Sequence, residues 1–215
     1  MSLEVKICGI NTPAALDAAV AAGADLVGFV FYPNSPRAVT PAQAIDLAGR
    51  LKPGVKRVAL MVDPDDALVA EVTGQVPLDF IQLHGAETPR RVAEIRARTG
   101  LAVIKVLKLS TAEDLAPAET YAEVADRLLF DAKPPKSMKN ALPGGNALAF
   151  DWRLLAGKTW SKPWMLSGGL EPDNLKQAVE ISGARSVDVS SGVEERPGLK
   201  SPEKIDAFLA QARAL

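Results

Sequence analysis

Short apolar or β-branched runs alternate with alanine-rich stretches from one end of this chain to the other. The runs are Val5–Cys8, Asp25–Phe31, Arg57–Val62, Phe80–Leu83, Val103–Leu107, Arg127–Phe130, Pro163–Leu166 and Ser186–Val189. Each is nearly continuous in apolar residues, the pattern of parallel strands covered on both faces; strands with one wet face would alternate instead. Helix starts between them are marked by a capping oxygen ahead of a proline at Thr12-Pro13, Thr40-Pro41, Asp63-Pro64 and Ser201-Pro202. Further helices are predicted over Pro89–Arg98, Ala112–Ala122, Asp151–Leu155, Pro172–Ser182 and Glu203–Ala212, and Gly23 and Gly183 close helices just before strands. Strand then helix, eight times over, predicts an α/β fold of the closed (β/α)8 TIM-barrel type, near its lower size limit. An open doubly wound sheet would carry a glycine-rich dinucleotide turn after its first strand, and Gly9-Ile10-Asn11 is not one.

Composition narrows the picture without changing it. The 215 residues, 47% hydrophobic and 24% charged, fit one domain over residues 1–215. A net charge of −1, with no block of like charges, gives no footprint for nucleic acid or an anionic membrane. No basic stretch precedes an apolar leader, and no apolar run reaches the roughly 18 residues of a spanning helix, so the expected location is the cytoplasm. The single cysteine, Cys8, excludes an internal disulfide and cannot build a zinc site alone.

In a barrel of this kind the chemistry sits where the strands end. Cys8 closes the first run and reads either as a small buried hydrophobe or as a reactive thiol. Asp131 follows the sixth run, as a working carboxyl or as a partner for Lys133. Arg37, in Ser35-Pro36-Arg37, is either a solvated loop cation or a bidentate grip for a carboxylate. His84, the only histidine, has no carboxylate partner in its local sequence and is not assigned as a base. Asp63 reads as the cap of a helix starting at Pro64, and Lys108 as an ordinary strand-end cation. The last two strands run into Ser167-Gly168-Gly169-Leu170 and Ser190-Ser191-Gly192-Val193, both ahead of helical sequence. Glycine turns and helix N-termini at consecutive strand ends point to phosphate, although each turn alone would pass as a tight connection. Residues 132–146, with lysines at 133, 136 and 139 and Gly144-Gly145, form a long connection suited to a lid.

Lys6-Ile7-Cys8-Gly9-Ile10, Ser35-Pro36-Arg37, Gln82-Leu83-His84-Gly85, Phe150-Asp151-Trp152, Gly168-Gly169-Leu170 and Asp188-Val189-Ser190-Ser191-Gly192-Val193-Glu194 occur in one order. On these motifs, from about residue 4 to the last helix, the chain resembles the phosphoribosylanthranilate isomerases. The resemblance implies an Amadori rearrangement of a small phosphorylated substrate in tryptophan biosynthesis, without cofactor or metal. It implies Cys8 as general base and Asp131 as general acid, Arg37 on the anthranilate carboxylate, and Gly168, Gly169, Ser190, Ser191 and Gly192 around the phosphate. His84 enters only as a substrate contact, and a monomer is expected, with a dimer as the alternative. A related isomerase of the histidine pathway would need an aspartate where Cys8 stands. A barrel that only binds phosphate would not need both Cys8 and Asp131. The chain departs from the family pattern in Gly144-Gly145-Asn146-Ala147 and in a stretch around Ser137–Asn140 that lengthens the same loop.

Overall fold

The computed structural model describes residues 3–135, 137–138 and 142–215. Eight parallel strands close on themselves in chain order: β1 (Glu4–Cys8), β2 (Leu26–Val30), β3 (Lys56–Met61), β4 (Phe80–Leu83), β5 (Ala102–Leu109), β6 (Arg127–Ala132), β7 (Trp164–Leu166) and β8 (Ser186–Val189). β8 completes the ring by pairing with β1, Lys6 opposite Asp188. All eight predicted strands are present, so the expected TIM barrel is the observed one. No helix among the described residues is long and apolar enough to cross a membrane.

Two apolar layers hold the ring. Outward-facing strand residues such as Ile7, Val27, Ile81 and Val187 join helix residues such as Leu16, Val92 and Phe208 in the larger core. Leu26, Val58, Ile104, Val106, Leu129 and Met165 form a separate plug inside the barrel. Cys8, Val30 and Leu60 make a small cluster nearer the mouth. Because side chains alternate along a strand, Cys8 and Lys6 share the inner face of β1 while Val5 and Ile7 face the helices.

The caps read from sequence hold for α1 (Pro13–Ala22), α2 (Pro41–Ala48) and the last helix, α7 (Pro202–Arg213), where Thr12, Thr40 and Ser201 each accept from a first-turn amide. Asp63 does not cap. α3 spans Asp66–Gln75 and its cap is Asp65, which accepts from Leu68 N at 2.8 Å. Asp63 instead sits at φ 45° and takes the Ala86 amide at 2.7 Å, so it ties the β3 and β4 ends together. α4 (Pro89–Thr99) is as expected. The helix predicted over Ala112–Ala122 is broken into a 3₁₀ turn, Ala112–Leu115, and α5, Ala118–Val124. Pro117 lacks the N–H that an unbroken helix would use there. After β6 the helix expected at Asp151–Leu155 is a single 3₁₀ turn, Trp152–Leu154, so the described residues of the sixth crossover carry no α-helix. α6 begins at Leu175 rather than Pro172. Between β8 and α7 lies an unexpected hairpin, β9 (Glu194–Arg196) with β10 (Leu199–Lys200).

Candidate active site

The strand ends deliver Cys8, Arg37, His84, Asp131, Gly168, Gly169, Ser190 and Ser191 to the wall of one cavity at the barrel mouth. Gly192 borders the turn, packed on the Leu170 carbonyl, and does not line the cavity. The connection after β6 contributes residues 142–148 to the same wall. A Cβ on Gly144 would lie 2.6 Å from the His84 ring, and one on Gly145 would lie 2.6 Å from Arg37 Nη1. Only glycine lets the lid backbone close over both groups. Part of the lengthened stretch, residues 139 and 140, lies outside the described residues.

Asp131, His84 and Arg37 each have partners that local sequence does not reveal. Asp131 does not pair with Lys133, which binds Asp114 at 2.6 Å. Its Oδ1 accepts from Ala132 N at 2.9 Å and its Oδ2 faces His84 Nε2 at 3.0 Å. His84 therefore has a carboxylate partner, 47 residues away in the chain. Its Nδ1 lies 3.2 Å from the Gln82 amide nitrogen, so protein groups engage both ring nitrogens. Arg37 is not solvated: its Nε and Nη2 donate to the two Glu194 oxygens at 2.8 Å, and Nη2 also reaches Gly145 O at 3.2 Å. Lys108 is half-buried, and that burial pushes its ammonium below the ordinary lysine value.

Cys8 is 3% exposed, so its sulfur is covered rather than open at the mouth. Burial pushes the thiol up; Lys6 and Lys200 pull the other way but do not prevail, and Asp188 adds to the rise. Lys6, two residues earlier on the same face, donates from Nζ to Asp188 Oδ1 at 2.8 Å in full burial. Desolvation opposes that ammonium, but Asp188 and Cys8 hold it above its usual value. Lys200 on β10 donates to Ser190 O at 2.9 Å, Ser190 Oγ at 3.2 Å and Glu194 Oε1 at 2.8 Å. Burial brings Lys200 down to about 8, with Glu194 pulling it back. Glu194 pays the same desolvation, yet Arg37 and Lys200 hold it below the usual carboxylate range.

The anion turns differ in construction from the expectation. α6 starts six residues after Gly169, and Ser191–Val193 is one 3₁₀ turn, so no α-helix N-terminus abuts either turn. Their donors are loop amides. Gly168 and Gly169 sit at φ 89° and 64°, which turn the chain sharply after β7. Among the described residues, the amides of Gly168, Gly169, Ser191 and Gly192 donate to no protein acceptor. Sequence reading left Gln82, Glu194 and Lys200 without roles and gave Lys6 none beyond a positive charge near Cys8. The signal for Lys6 and Gln82 was a polar residue inside an otherwise apolar strand.

A closed parallel barrel whose polar groups gather at the C-terminal mouth defines a (β/α)8-barrel enzyme, the face at which this class works. The family model described as N-(5'phosphoribosyl)anthranilate (PRA) isomerase matches residues 5–211. The chain belongs to the N-(5'-phosphoribosyl)anthranilate isomerase family. The curated enzyme of that name from Rhodospirillum centenum is 58% identical over 215 residues, covering 100% of both chains. A crystal structure of phosphoribosyl anthranilate isomerase in complex with reduced 1-(o-carboxyphenylamino)-1-deoxyribulose 5-phosphate is 34% identical, covers 99% of this chain and 100% of that one, and matches with a TM-score of 0.84. Monomers generated from the dimeric Thermotoga maritima enzyme match at 33% identity and a TM-score of 0.82, over 99% of this chain and 100% of theirs. The chain converts N-(5'-phosphoribosyl)anthranilate to 1-(2-carboxyphenylamino)-1-deoxyribulose 5-phosphate in tryptophan biosynthesis, an intramolecular aldose–ketose isomerisation.

Proposed function

We propose that Asp131 is the general acid and Cys8 the general base of this isomerisation, with Arg37 on the anthranilate carboxylate and the turns after β7 and β8 on the phosphate. The observation that carries the reading is that all these groups wall one cavity, at the face where such barrels act. Asp131 gives its proton to the furanose ring oxygen as the C1–O bond opens, leaving an iminium at C1. The Cys8 thiolate then takes the C2 proton, and the enolamine formed tautomerises to the ketone. Anchoring an anion at each end of the substrate holds C1 and C2 between acid and base. The paired kinetic variants treated in the Discussion test both roles.

The four unspent amides of the two turns supply phosphate donors, and Lys200 sets a positive charge behind Ser190. Sulfate or phosphate soaked into crystals is expected between the Gly168-Gly169 and Ser190-Ser191-Gly192 backbones, held mainly by main-chain N–H groups. Density for the anion elsewhere, with this pocket empty, counts against the assignment.

Arg37 keeps Nη1 free of any protein acceptor among the described residues, so a carboxylate can dock beside Glu194. Arg37→Ala is expected to weaken the reduced product analogue by about tenfold or more, the worth of a charge-assisted bond. Binding of ribose 5-phosphate should change far less. Calorimetry decides, with melting temperature measured beside it because the truncation also strips Glu194. Equal losses at an unchanged melting temperature place Arg37 at the phosphate.

The exposed large hydrophobic residues among those described are far apart in the chain: Ile45 on α2, Met138 in the connection after β6 and Leu215 beyond α7. That scatter supports a monomer, and sedimentation showing a dimer at micromolar concentration would overturn it.

A further inference from the structure

Gln82 is fully buried in β4 and does not line the active-site cavity. Its amide nitrogen lies 3.2 Å from His84 Nδ1, while its amide oxygen has no partner among the described residues. An orphaned buried carbonyl costs roughly 1–3 kcal/mol, so something must compensate for this orientation. A half-turn of the amide would swap the two atoms in the same space and leave the nitrogen unpartnered instead. The two orientations differ in what they impose on the imidazole, and only the one seen leaves the Nε2 proton to face Asp131.

An amide nitrogen only donates, so with Gln82 oriented this way Nδ1 must accept. In the neutral ring the proton then resides on Nε2, which points at Asp131 Oδ2 at 3.0 Å. Asp131 Oδ1 already accepts from Ala132 N. Each carboxylate oxygen thus faces an N–H donor fixed before the reaction starts. When a general acid gives up its proton, negative charge develops on its carboxylate, and donors aimed at that charge lower the barrier. The opposite tautomer would present a lone pair to the same carboxylate and raise it.

On the assignment of Asp131 as the acid, we propose that Gln82 is a positioning residue: it selects the Nε2–H tautomer of His84, so that the carboxylate formed by proton donation meets two donors. The orphaned oxygen is what this selection costs. His84 accordingly supports the acid, beyond the substrate contact expected of it. The lid completes the arrangement, because the Gly144 backbone lies against the His84–Asp131 pair and leaves no room for a side chain.

His84 is the only histidine, so ¹⁵N resonances of labelled imidazole report its tautomer without ambiguity. The wild type is expected to show Nε2 protonated and Nδ1 bare between pH 7 and 8. Gln82→Glu offers only acceptors to Nδ1 and should move a proton there. With it kcat should fall by about a hundredfold, the scale of losing one donor at a developing charge, while KM changes little. Gln82→Met removes the donor without adding charge, so it tests the same point if the glutamate variant does not fold; its kcat should fall by about tenfold. Nδ1 protonated in the wild type overturns the inference, as does a variant whose histidine has changed tautomer with kcat unaltered. An undiminished rate in Asp131→Asn would instead remove the assignment beneath it, and the tautomer measurement would still stand.

Discussion

Cys8→Ala is expected to lower kcat by about a thousandfold, within the range for losing a general base, while the protein still folds and binds the reduced product analogue. The missing sulfur leaves only a small void beside Val30 and Leu60. A second signature is pH dependence. Burial raises the thiol above its ordinary value, and a base works only when deprotonated. Below that raised value the thiolate fraction falls about tenfold for each pH unit. In the wild type, kcat/KM should therefore climb with pH through neutrality into the alkaline range. Chemical modification gives a third handle, because Cys8 is the only thiol and sits 3% exposed. Iodoacetamide should react slowly with so buried a thiol and abolish turnover in proportion; saturating product analogue should slow it further. Full alkylation of the native thiol with an unchanged rate would remove Cys8 from the mechanism.

Asp131→Asn should cost at least about a hundredfold in kcat with little change in product-analogue affinity, since the amide is nearly isosteric but has no acidic proton to give. An amide oxygen can still accept from Ala132 N or from His84, so the loop after β6 keeps its anchor. A fall of less than about tenfold would take the acid role away from Asp131.

The strands were legible because residues buried on both faces must be apolar wherever they pair, and that requirement is written locally. The caps at Thr12, Thr40 and Ser201 were legible for the same reason: oxygen, amide and proline lie within one turn. The segment Asp63-Pro64-Asp65-Asp66 offers three carboxylates in four residues. Which one caps was settled by a bond to Ala86, 23 residues away, that local sequence does not contain. The site followed a similar division. Strand-end position brought Cys8, Asp131, Arg37 and both turns to one cavity, but their partners come from sequence separations of 47 for His84–Asp131 and 157 for Arg37–Glu194. Those pairings depend on barrel register, which no short motif encodes.

The pair between Lys6 and Asp188 joins strands at opposite ends of the chain, 182 residues apart. During synthesis the lysine emerges 182 residues ahead of its aspartate. Until β8 arrives, a β1 packed into a partial barrel would trap an ammonium without a counterion, an expense several times that of a missed apolar contact. Nascent chains short of Asp188 thus have reason to keep the amino-terminal strand hydrated and unlocked. Closure is then deferred until β8 and its aspartate have been made.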